Sequence, residues 1–112
     1  MFSFENLDVY KCAIQFPAQA STMVGTLPSG HAALADQLKR ASLSVPLDIA
    51  EGSGRTGQSD LRRHHAIARG SAIECAAILD ACRVLGLGRG DRIEEARTLL
   101  ERIVSMLSKM CR

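Results

Sequence analysis

The stretch Leu38-Lys39-Arg40-Ala41-Ser42-Leu43-Ser44-Val45-Pro46-Leu47-Asp48-Ile49-Ala50-Glu51-Gly52-Ser53-Gly54 decides the fold. Together with Leu34, its apolar residues Leu38, Ala41, Val45 and Ile49 advance by four, three, four and four, the spacing of one buried helix face. Pro46 stands in the middle of that helix without an N–H, and its ring crowds the carbonyl of Ser42. An isolated helix would lose roughly 3 kcal/mol there, so tertiary packing must hold the segment. Gly52 and Gly54 are placed to take the left-handed conformation that ends a helix, and Ser53, Gly57 and Gln58 continue as a polar turn. This helix is predicted from about His31 to Glu51.

Toward the C-terminus, Ser59 is predicted to cap the next helix, with Asp60 at its first helical position. Leu61, Ala68, Ala72, Cys75, Leu79 and Cys82 then repeat at near-heptad spacing, flanked by a second line of Ile67, Ser71, Glu74, Ile78, Ala81 and Leu85. Two apolar sides suit an element at the centre of a bundle. Gly86-Leu87-Gly88-Arg89-Gly90 is a stop-and-turn signal, after which Asp91 is predicted to cap a last helix. There Ile93, Ala96, Leu100, Ile103, Leu107 and Met110 alternate three and four without a miss, and charged residues fill the remaining positions.

Toward the N-terminus, Ser3 or Asn6 is placed to cap a first helix from about Leu7 to Gly25, kinked or broken near residues 13 to 17 by Pro17. Its apolar residues spread wider than one seam, as for a helix with two neighbours. Gly25 to Gly30 is the first loop, with Ser29 as the expected cap of the second helix. No segment shows convincing period-two alternation. The expected architecture is therefore all-α, a single domain over residues 1–112 forming an antiparallel up-and-down four-helix bundle.

A chain of 112 residues buries roughly 65% of the surface it exposes when unfolded, so it needs no disulfide staple. Cys12, Cys75, Cys82 and Cys111 form no CxxC and follow no secretory start. They read as reduced thiols of a cytosolic protein, with Cys75 and Cys82 acting as small hydrophobes. No run is long and apolar enough to span a bilayer, so no membrane partner is expected. The net charge of +2 does not by itself indicate a nucleic-acid binder. Its distribution is uneven, because residues 39 to 70 hold six Lys or Arg against three Asp or Glu.

Bundle cores often hold metals, but no Glu is followed three residues later by His, as a di-iron site requires. Adjacent residues of a helix point roughly 100° apart, so His64 and His65 cannot both ligate from one turn, and with Cys75 they make poor zinc ligands. No metal, cofactor or catalytic residue is expected. Glu51 and Glu74 each interrupt an apolar stripe, and a buried carboxylate needs a partner such as Ser44, Ser71 or an arginine. They are read as locks on helix register, or as pins of the turn after Gly52, rather than as an acid/base pair. The run Arg55, Arg62, Arg63, His64, His65 and Arg69 is the surface with functional content, since guanidinium and imidazole donate to phosphate oxygens. The helix start near Ser59 adds free N–H groups to the same anion.

Leu38, Arg40, Ala41, Ser44-Val45-Pro46, Ile49-Ala50-Glu51-Gly52, then Gly70-Ser71 and Glu74, resemble the signature of the four-helix-bundle proteins named for intervening sequences of bacterial 23S ribosomal RNA. The opening Phe4-Glu5-Asn6-Leu7-Asp8-Val9-Tyr10 fits as well. The similarity spans nearly the whole chain, and the same fold family includes the accessory protein of diversity-generating retroelements. The resemblance implies a homo-oligomer, a five-membered ring of bundles, with no known catalytic activity. It also implies that Arg40, Ser44, Pro46, Glu51, Gly52, Gly70, Ser71 and Glu74 act structurally. Its accessory relatives bind nucleic acid and a reverse transcriptase through basic surfaces, and this chain departs from them in being only mildly basic and in carrying His64-His65 where aromatics are common. Two readings follow: RNA or DNA binding, or binding of a ribonucleoprotein, through the Arg55 to Arg69 surface; and a scaffold that binds only protein.

Overall fold

The computed structural model describes residues 1–112 and contains helices and turns without a strand. After a 3₁₀ turn at Ser3–Asn6 come α1 (Asp8–Ala13), α2 (Phe16–Thr26), α3 (Ala32–Ser53), α4 (Gln58–Val84) and α5 (Gly90–Met110). α1 and α2 are the predicted first helix, broken at residues 14 and 15. Pro17 lies in the first turn of α2, where its missing N–H deprives no carbonyl. Antiparallel order shows in the cross-links: Ser44 with Ser71 and Asp48 with His64 join α3 to α4. Arg83 with Glu94, Arg97 with Asp80 and Arg69 with Ser108 join α4 to α5. The bundle is 44 Å long and 24 by 21 Å across.

The predicted apolar faces meet in one core. Phe16, Leu38, Val45, Ile49, Leu79, Ile93, Leu100, Ile103 and Leu107 are fully buried. α3 runs unbroken through Pro46, itself buried, so packing overrides the local penalty as the sequence requires. The last helix is as read, with its three-four positions buried down to Leu107. α4 packs against both α3 and α5, yet its second apolar line is buried only at Ile78, while Ile67, Glu74 and Leu85 face outward.

The helix ends differ most from expectation. None of the helices is capped by a side chain: α1, α3, α4 and α5 start after Leu7, His31, Gly57 and Arg89. Gly30, at φ 98°, turns the chain so that Ser29 lies short of the helix start. Ser59 and Asp91 are drawn inside the first turn, where Asp91 takes the Arg89 guanidinium instead, at 2.8 and 3.1 Å. α3 runs two residues beyond its predicted end and closes on Gly54 at φ −85°, not left-handed, through Gly54 N–H to Glu51 O at 3.1 Å. The left-handed closure is at Gly86, φ 71°, ending α4. There Leu87 N–H reaches Cys82 O at 2.8 Å and Gly86 N–H reaches Arg83 O at 3.1 Å, the paired bonds of a Schellman motif.

Candidate functional site

The α3/α4 crossing is built around Gly52. A Cβ on residue 52 would lie 2.9 Å from His64 Cβ and 3.4 Å from Leu61 Cδ1, so only glycine lets α4 approach this closely. That approach carries His64 into the seam, and its side chain is 5% exposed. Residues 44, 48 and 51 lie one turn apart along the flank of α3 that faces α4. Ser44 Oγ donates to Asp48 Oδ2 at 2.7 Å and is 2.9 Å from Ser71 Oγ, which leaves the Ser71 hydroxyl as donor of that bond. Asp48 Oδ1 then faces His64 Nδ1 at 3.7 Å, beyond hydrogen-bond reach, and Nδ1 has no partner.

The basic run divides. His64 and His65 are each 4% exposed, which corrects the expectation that they present imidazoles to a phosphate. Position 65 falls on the same α4 stripe as Ala68, Ala72 and Leu79, so the core claims it. Neither His65 nitrogen has a hydrogen-bond partner, and burial lowers its proton affinity. Arg55 pairs with Glu51 at 2.6 Å and lies 3.6 Å from Asp60. Arg63 pairs with Asp60 at 2.9 Å and holds that carboxyl below the usual range. Arg69 Nε donates to Ser108 Oγ at 2.7 Å beside a depression of about 280 Å³ that it lines with Ala66, Ser108, Cys111 and Arg112. Arg62 and Arg112 pair with no carboxylate. Helical spacing puts Arg62, Ala66 and Arg69 on one face.

Glu51 and Glu74 are both exposed, which corrects their expected burial. Glu51 projects past the α3 flank to Arg55, and Glu74 rims a groove with Gln37, Arg40, Ser44 and Ser71. Gly70 meets nothing within 4 Å of a notional Cβ, so its presence answers to no packing within this chain. The acid that enters the seam is Asp48, missed at the sequence level although it stands four residues after Ser44 and three before Glu51. Cys75 and Cys82 pack in the core as read, and burial pushes the Cys75 thiol up to about 12.

No helix is long and apolar enough to cross a membrane. Connectivity and packing thus define a four-helix-bundle protein whose first helix is broken. Residues 5–109 match the 23S rRNA-intervening sequence protein family, and the chain belongs to it. Among curated proteins none matches. The crystal structure of a protein of unknown function, from the S23 ribosomal protein family of Bacteroides thetaiotaomicron VPI-5482, is similar with a TM-score of 0.86 at 16% identity. The match covers 93% of this chain and 98% of that one, and it establishes the fold.

Proposed function

We propose that the chain is a non-enzymatic cytosolic bundle that assembles with copies of itself, using the outer face of α3 as a contact. The observation that carries this reading is the pair Leu43 and Leu47, one turn apart on the side of α3 opposite its buried residues and 50% and 61% exposed. Covering the exposed half of each leucine is worth roughly 1–1.5 kcal/mol, which a second copy would gain and a monomer forgoes. The five-membered ring is the form that the family resemblance implies. Light scattering tests it: the wild type is expected at a multiple of 12.1 kDa. The Leu43→Glu/Leu47→Glu variant is expected to be a helical monomer. A monomeric wild type up to submillimolar concentration sinks the reading.

A second reading has its own support. Arg62, Arg69 and Arg112 are free of carboxylates on one end of the α4/α5 surface, which suits the phosphates of RNA or DNA and narrows the basic patch from the six residues of the sequence. Anisotropy with labelled structured RNA and duplex DNA tests it. With three phosphates neutralised, duplex affinity is expected to fall about 40-fold between roughly 50 and 200 mM salt. Arg62→Glu/Arg69→Glu is expected to abolish binding without altering assembly. Absence of binding at the lower salt leaves the protein-only scaffold.

A further inference from the structure

We infer that Asp48, Glu51 and His64 form a site for a divalent transition-metal ion, of which zinc is the best match, pinning α3 to α4. One oxygen of each carboxylate and one ring nitrogen lie within 4.8 Å of one another. The observation that points to a ligand is His64: it is 5% exposed, yet Nδ1 has no hydrogen-bond partner and faces Asp48 Oδ1 at 3.7 Å. A buried nitrogen lone pair or N–H without a partner is costly. Two ligand atoms each about 2.1 Å from a tetrahedral zinc stand about 3.4 Å apart, so the Asp48–His64 separation already approaches that of a shared ion. Glu51 supplies the third ligand by rotation of a side chain that is 51% exposed.

The surroundings are those of a metal ligand set. Ser44 Oγ holds Asp48 Oδ2 at 2.7 Å, leaving Oδ1 for the ion, and Ser71 supports Ser44 in turn. Two carboxylates and one imidazole suit zinc and leave a fourth position for water. Two arginines compete. Arg55 holds Glu51 Oε1 at 2.6 Å, and Arg63 lies 3.3 Å from His64 Nε2, which carries the ring proton once Nδ1 binds a metal. Arg63 is 59% exposed and already paired with Asp60, so it can turn away.

The test uses the full chain, stripped with chelator and titrated with Zn²⁺ in a calorimeter and with Co²⁺ in a spectrophotometer. Expected are one ion per chain, a raised Tm with Zn²⁺, and a Co²⁺ spectrum without the thiolate charge-transfer band that Cys111 would produce. Asp48→Asn and Glu51→Gln keep the shape of the side chains and are each expected to weaken Zn²⁺ at least about tenfold, with Ser44→Ala weakening it by a similar factor. Arg63→Gln is expected to bind at least as tightly as the wild type. His64→Gln supplements these variants, and because the others spare the core, a failure of that one to fold does not decide the matter. Absence of binding at millimolar Zn²⁺ overturns the inference, as does binding that Asp48→Asn and Glu51→Gln leave unchanged, or a thiolate band.

Discussion

A methyl group on residue 52 would meet His64 Cβ at 2.9 Å, backbone-near on a neighbouring helix and unable to yield as a side-chain tip does. Gly52→Ala is therefore expected to destabilise the fold. The overpacking costs roughly 1–3 kcal/mol, and the alanine's helix propensity returns about 1 kcal/mol. A fall in the urea midpoint checks the sign, and a rise would show that the crossing can spread at no cost. Cys75 gives the pH dependence. Its thiol is at about 12 in the folded protein, first through burial and then through the nearby Glu74 charge, against an ordinary 9.0. A raised folded value means that the associated stability is complete below pH 9 and is lost as pH rises toward 12. At pH 10 that loss is roughly 1.4 kcal/mol. Between pH 8 and 10 the wild type should lose more stability than Cys75→Ala, in which this titration is absent and the other alkaline groups remain. The burial of both core cysteines was legible in the sequence, but Gly52, expected at a left-handed helix end, lies inside α3 with an ordinary φ and serves the α4 crossing instead. Glu51 was misplaced and Asp48 passed over, because period alone cannot tell the rim of a helix face from its flank when the neighbouring helix is unknown.

Among the elements, periodicity located the α5 face and the first of the two α4 lines, whereas the second α4 line is buried only at Ile78. The α1/α2 break was legible because a proline inside an apolar pattern has few outcomes. Helix starts were not legible. Ser29, Ser59 and Asp91 are good caps by composition, but the helices start after His31, Gly57 and Arg89, each two residues from the expected cap. Stops fared better where geometry demanded glycine. At Gly86, φ 71° is a region in which an added Cβ costs roughly 1–2 kcal/mol, although nothing lies within 4 Å to clash with it. Gly86→Ala is expected to destabilise by about that amount, measured by urea unfolding. Gly54→Ala, at φ −85°, is expected to cost less than half as much. Equal costs at the two sites would show that the α4 stop does not depend on the left-handed residue.

At the scale of the whole molecule, the apolar positions on the flank and back of a helix carry a message that one chain does not use. Leu43 and Leu47 look like errors in the α3 pattern when the bundle is taken alone, and like a contact when copies are counted. The difference has a thermodynamic signature that does not require knowing the ring size. If copies associate only when folded, mass action stabilises the fold, and Tm must rise with chain concentration. For a domain of this size, a tenfold increase is expected to raise Tm by roughly 3 °C in the associating regime. Leu47→Glu, at a position 61% exposed, has little to lose inside its own chain. Its Tm should therefore match that of the dilute wild type and stay flat as concentration rises. A wild-type Tm independent of concentration would place the association, if any, outside the folding equilibrium. A slope retained in Leu47→Glu would move the contact away from the outer face of α3, toward a surface such as the groove between α4 and α5, where Ile73, Ala76 and Val104 are partly exposed.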